Sequence, residues 1–126
     1  MIFASELDET KYNKLKNEFK SNNKKFYIKN LDALDLKFFN DNFIDAVVTD
    51  PPWNIFEHKN ENYTNFYIQM LKELSRIVKV NGRIVILMGN EIEFEMALSK
   101  TDLELNDKLS VLINGKKAKV YVLNNK

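Results

Sequence analysis

The sequence predicts an α/β protein: a mostly parallel sheet with helices on its faces and an antiparallel hairpin at one edge. Three observations carry this. Short apolar or β-branched runs alternate with segments whose apolar residues recur every three to four positions. The runs Ile44–Asp45–Ala46–Val47–Val48–Thr49 and Arg83–Ile84–Val85–Ile86–Leu87–Met88 are nearly continuous in apolar character, as strands covered on both faces are. Asn114–Gly115 lies between two strand-like runs, a strong hairpin signal.

Taken in order, Ile2–Phe3–Ala4–Ser5 reads as a buried strand ending at Glu6. Asp8 is placed to cap a helix whose apolar residues are Tyr12, Leu15 and Phe19, closed by the polar stretch Lys20 to Lys25. Phe26–Tyr27–Ile28 reads as a second strand. The loop Asn30–Leu31–Asp32–Ala33 follows, and Leu36 to Asn40 reads as a turn or short helix. The strand Ile44–Thr49 runs into Asp50–Pro51–Pro52–Trp53, where two prolines stop strand pairing and stiffen the chain. From Tyr63 to Val80, the residues Phe66, Tyr67, Met70, Leu71, Leu74, Ile77 and Val78 fall at helical spacing, and Asn81–Gly82 is read as the stop. The strand Arg83–Met88, a helix over Glu91–Ser99, and strands over Leu103–Ile113 and Lys119–Leu123 complete the order.

The chain has 126 residues, enough for one domain or part of one. Hydrophobic residues make up 44% and charged residues 29%, the balance of a soluble globular protein. Nineteen Lys and Arg against eighteen Asp and Glu leave a net charge of +1, so any nucleic-acid contact must come from a local patch. Lys116, Lys117 and Lys119 form such a patch on the hairpin, where a solvated turn is the plainer account. There is no cysteine, hence no disulfide and no thiolate metal site. No apolar run approaches the roughly 20 residues of a membrane span, and no signal-peptide layout opens the chain, so a cytoplasmic location is expected. His58, in a polar loop, is read as an exposed residue.

In parallel sheets, ligands sit beyond the carboxyl ends of the strands. Glu6, Asp32 and Asp50 all lie at or just after such ends. With the strand–Asp50–Pro51–Pro52–Trp53 element, they resemble the class I S-adenosylmethionine-dependent methyltransferases with a Rossmann-like fold. An Asp-Pro-Pro-aromatic motif is typical of members that methylate an amino nitrogen on a nucleobase. The run from Phe66–Tyr67 to Gly82–Arg83–Ile84–Val85, and the ending Leu112–Leu123, look most like the catalytic domains of THUMP-associated tRNA guanine-N2 methyltransferases. The likeness covers nearly the whole chain.

The resemblance implies roles. Glu6 would bind the ribose hydroxyls of S-adenosylmethionine, which a carboxylate can accept in pairs. Asp32 would accept from the adenine amino group, with Ala33 adding backbone contact. Asp50 would border the cofactor and, with the carbonyl of Pro51, hold the target amine. Pro52 would stiffen the turn, and Trp53 would stack on the target base, a contact of about 1–3 kcal/mol. The base must be flipped out or single-stranded to enter. No metal is required. The bland readings are a plain strand stop for Asp-Pro-Pro, a helix-start carboxylate for Glu6, a loop acid for Asp32, and an ordinary core or surface aromatic for Trp53.

One family feature has no counterpart. The family opens with a central strand and a glycine-rich loop around the methionine part of the cofactor. Here Gly82, Gly89 and Gly115 are downstream and scattered. Residues 1–126 are therefore expected to be the C-terminal part of a catalytic domain lacking the first strand and helix, completed by a preceding segment or by a partner chain. Three readings follow. The first is an RNA N-methyltransferase domain acting on guanine N2 in tRNA, or its DNA-adenine or protein-amide variant. The second is a catalytically silent remnant or partner-binding subunit. The third is an unrelated doubly wound protein with an accidental motif.

Overall fold

The computed structural model describes residues 1–19, 26–53 and 62–126. Lys20–Lys25 and the loop holding His58 lie outside the described residues. The elements are β1 (Ile2–Ser5), α1 (Glu9–Phe19), β2 (Phe26–Lys29), β3 (Ile44–Thr49), α2 (Thr64–Ile77), β4 (Val78–Met88), α3 (Glu91–Leu98), β5 (Glu104–Ile113) and β6 (Lys116–Asn124). This is the order the sequence predicts. Leu36 to Asn40 forms turns rather than a helix. Among the described residues, no helix is long and apolar enough to cross a membrane.

The chain divides into two compact units, residues 1–36 and 37–126. In the first, β1 and β2 pair in parallel, from Ile2↔Phe26 to Ser5↔Lys29. Asp8 caps α1, as expected: its Oδ1 accepts the Lys11 N–H at 2.8 Å. β1 was expected to be buried, but it contains no buried residue and neither does α1.

The second unit holds a four-stranded sheet in the order β3-β4-β6-β5. β3 and β4 are parallel, whereas β4–β6 and β6–β5 are antiparallel. The hairpin closes on Asn114 (φ 50°) and Gly115 (φ 78°), the left-handed pair a two-residue turn needs. Along β5 the register slips between Leu105 and Asp107, leaving Asn106 without a partner on β6.

One face of this sheet is the core. Ile84, Ile86 and Met88 of β4 and Tyr121 and Leu123 of β6 are fully buried there. They lie with Tyr67, Met70, Leu71 and Leu74 of α2 and Phe94 of α3. Each such side chain contributes about 1.5–3 kcal/mol by leaving water. The rings of Tyr67, Phe94 and Tyr121 run in series, with centroids 5.9 and 4.7 Å apart. The strands were expected to be covered on both faces, and here the structure differs. β3 has no buried residue and Val48 is 82% exposed, because α2 and α3 both pack on the other face.

The Tyr121 hydroxyl is buried with no hydrogen-bond partner among the described residues. Burial pushes its phenol above the ordinary tyrosine value. An unmet buried hydroxyl costs about 1–3 kcal/mol. Tyr121→Phe keeps the ring and removes that cost, so the thermal midpoint is expected to rise by roughly 4 °C. A fall in a calorimetric melt would show that the hydroxyl finds a partner in solution.

The end of α2 differs from the sequence reading. The helix stops at Ile77 and the chain enters β4 at once, at Val78. Asn81–Gly82 is not its cap. Instead, Asn125 closes it from the far end of the chain: its buried side-chain amide donates to the carbonyls of Ser75 (2.8 Å) and Val78 (2.7 Å) and accepts from the Ser75 hydroxyl (2.8 Å). Those carbonyls are the orphans every helix end leaves. Gly82 has a different task. It lies where β4 departs from β3, between the pairs Ile44↔Val78 and Ala46↔Arg83. A Cβ there would come within 2.5 Å of Val78 Cγ1 and 2.9 Å of the Asp45 carbonyl.

Candidate active site

In the first unit, parallel pairing brings the carboxyl ends of β1 and β2 to one rim. Glu6 follows β1, and its N–H donates to the Lys29 carbonyl at 3.1 Å. Asn30 follows β2 and ties the two ends together. Its side-chain amide donates to the carbonyls of Glu6 (2.8 Å) and Leu7 (3.0 Å). The Glu6 carboxylate is oriented by the Asp8 N–H, 3.0 Å from Oε1. Asp32 folds its own loop, accepting the Leu34 N–H on Oδ1 at 2.9 Å, and Ala33 is half-buried in that turn. Two oriented carboxylates on one rim suit a ligand that offers hydroxyl and amino donors.

The second unit carries the proline motif. The register Thr49↔Ile86 sets Asp50–Trp53 beside Leu87–Asn90, at the carboxyl ends of two parallel strands. Pro51 is buried, while Pro52 and Asp50 are exposed. Trp53 folds back over the strand end. Its indole N–H is shared between Asp50 Oδ1 (3.0 Å) and the Leu87 carbonyl (3.2 Å). Its ring lies on Gly89, where an added Cβ would sit 2.3 Å from Cε3. Trp53 thus orients the Asp50 carboxylate. The Pro51 carbonyl accepts no hydrogen bond among the described residues. Pro52 is held from the other side, its carbonyl accepting the Tyr67 hydroxyl at 2.6 Å.

Several of these residues escaped the sequence reading. Tyr67 is hidden in the apolar stripe of α2, where every aromatic looks like core. Asn30 and Asn90 look like ordinary loop residues. Gly89 gave a signal, being one of only 3 glycines and standing directly after a strand. On the hairpin, Lys119 is paired with Glu91 of α3. No group of three or more His, Cys, Asp or Glu that could hold a metal occurs among the described residues.

Solved structures share this architecture. TrmN from Thermus thermophilus superposes with a TM-score of 0.84 at 21% identity, over 98% of this chain and 36% of that one. A SAM-dependent methyltransferase from Methanosarcina mazei gives 0.76 at 11% identity, over 98% and 81%. Geranyl diphosphate C-methyltransferase from Streptomyces coelicolor A3(2), in complex with S-adenosyl-L-homocysteine, gives 0.65 at 12% identity, over 98% and 62%. The fold is that of the Rossmann-like methyltransferases, and the C-methyltransferase shows that fold alone leaves the acceptor open. No curated protein matches the sequence.

The sequence itself matches the RMKL-like methyltransferase domain family, UPF0020, over residues 3–119, and the chain belongs to that family. That family is one of methyltransferase domains. The chain spans about a third of the length of TrmN.

Proposed function

We propose that this domain transfers a methyl group to an exocyclic amino nitrogen of an RNA base, guanine N2 in tRNA. One observation carries the reading. The Asp50–Pro51–Pro52–Trp53 turn sits at a strand end with an oriented, exposed carboxylate and a proline carbonyl that has no partner among the described residues.

An exocyclic amine is a poor nucleophile because its lone pair is delocalised into the ring. Asp50 and the Pro51 carbonyl each accept one amine hydrogen, which pyramidalises the nitrogen and turns its lone pair outward. The prolines fix both directions in advance, so the gain is preorganisation. Glu6 takes the ribose hydroxyls and Asp32, with Ala33, the adenine edge. Bound there, the cofactor supplies a methyl group on a sulfonium. The RNA assignment draws on the family membership and on the likeness to TrmN.

The test is transfer of radiolabelled methyl from S-adenosylmethionine to bulk tRNA, with the product digested to nucleosides. Label in N2-methylguanosine is expected. Label in N6-methyladenosine, or in DNA or protein instead of tRNA, would overturn the acceptor assignment.

A second reading rests on a separate observation. Among the described residues, β1 pairs only with β2 and β3 only with β4, so each has an unpaired edge. The glycine-rich strand and loop then come from another segment or a partner chain, and residues 1–126 alone are silent. Calorimetry with S-adenosylmethionine distinguishes the two: heat of binding to this chain alone favours the first reading, and its absence favours the second.

A further inference from the structure

We propose that Tyr67 is a positioning residue of the methyl-transfer site, anchoring the Asp-Pro-Pro-Trp turn through the carbonyl of Pro52. This inference rests on the function proposed above and deepens it.

The argument starts from what two adjacent prolines remove. Neither Pro51 nor Pro52 has a backbone N–H. These two positions therefore offer no backbone donor with which to fasten the turn. It has to be held at its carbonyls or by its side chains, or else drift. The structure provides one fastening of each kind. The Trp53 indole donates to the Leu87 carbonyl of β4. The Tyr67 hydroxyl donates to the Pro52 carbonyl at 2.6 Å, a short bond.

The Tyr67 side is the stiffer of the two. Tyr67 lies on α2, is 0% exposed, and packs edge-on against Phe94. The Asn90 side chain also acts on this hydroxyl, partly offsetting the effect of burial on it. Asn90 in turn donates to Glu93 Oε2 at 2.8 Å, and the same oxygen accepts the Tyr63 N–H at 2.9 Å. Tyr67 thus ties α2 to the motif, and Glu93 ties the starts of α2 and α3 to each other. Burial pushes the Tyr67 phenol up to about 12, so it stays protonated and donating at neutral pH. Pro52 adjoins Pro51 and Trp53, the residues whose carbonyl and indole define the amine pocket. Fixing Pro52 fixes the directions of both.

The chain's sole tryptophan is Trp53, so selectively excited tryptophan fluorescence reports on this turn alone. Tyr67→Phe removes the hydroxyl and keeps the packed ring. In a variant with unchanged far-UV dichroism, Trp53 emission is expected to shift to the red and its quenching by acrylamide to increase. The kcat for methyl transfer should fall roughly ten- to a hundredfold, as for a misplacement of about 1 Å, while the Kd for S-adenosylmethionine holds. Asn90→Ala, which leaves the α2 core intact, should move the emission the same way by less. Unchanged emission and quenching in both variants would overturn the positioning role and leave the methylation reading untouched. A red shift in a protein that methylates no RNA would do the reverse, supporting the anchor while the assigned acceptor fails.

Discussion

On the proposed function, Asp50→Ala is expected to lower methyl transfer by a factor of about 10²–10³, the usual effect of removing one preorganised polar partner from a reacting group. The affinity for S-adenosylmethionine changes little. The reason lies in how the carboxylate is held. Trp53 takes one lone pair of Oδ1 at 3.0 Å and so orients the group, while the exposed remainder would, on the proposed function, accept an amine hydrogen. Alanine would leave the Pro51 carbonyl as the sole acceptor, and the nitrogen would stay planar. Asp50→Asn is the informative companion, since its amide can keep the indole contact through its oxygen. It should retain more activity than alanine. The measurement is kcat with saturating RNA beside a cofactor titration of each variant. Equal loss of cofactor affinity and of turnover would mean that Asp50 serves the cofactor and not the amine.

Asn125→Ala is expected to destabilise the second unit by about 3 kcal/mol. The Asn125 side chain is buried and is the partner of the Ser75 and Val78 carbonyls and of the Ser75 hydroxyl. Each buried polar group left without a partner costs about 1–3 kcal/mol, and partial access of water at the helix end offsets some of the sum. Urea unfolding checks this. The midpoint should drop with the slope unchanged. A loss below about 1 kcal/mol would mean that water reaches the Ser75 and Val78 carbonyls and replaces the missing amide.

These two residues mark what a single sequence reveals and what it hides. The strands, the helices and the turn at Asn114–Gly115 were legible because each follows from a local period or a local dihedral requirement. Asp50–Pro51–Pro52–Trp53 was legible for the same reason, as an unusual local string after an unmistakable strand. The cap of α2 was not, because its donor comes from the opposite end of the chain and no pattern near Asn81–Gly82 points to it. Reading Gly82 as the helix stop was reasonable chemistry applied to the wrong contact: the glycine is needed by the neighbouring strand. The exposure of β3 was illegible too, since an apolar run shows that a strand can be covered and not that a cover is present. Trp53 was read as part of the candidate site, but a motif cannot say which way an indole turns. That depends on Gly89, whose lack of a side chain makes the room.

The slip at Asn106 has a consequence for how molecules meet. β5 is the outer strand of its sheet, and Leu105, Leu109 and Leu112 are all exposed along it. A straight, greasy border of that kind invites another copy to zip on, rung by rung, toward a fibril. The dislocation breaks the spacing of the rungs beside the charged residues Asp107 and Lys108, so an incoming backbone falls out of step after a few residues. Straightening the strand by deleting Asn106 would remove that protection.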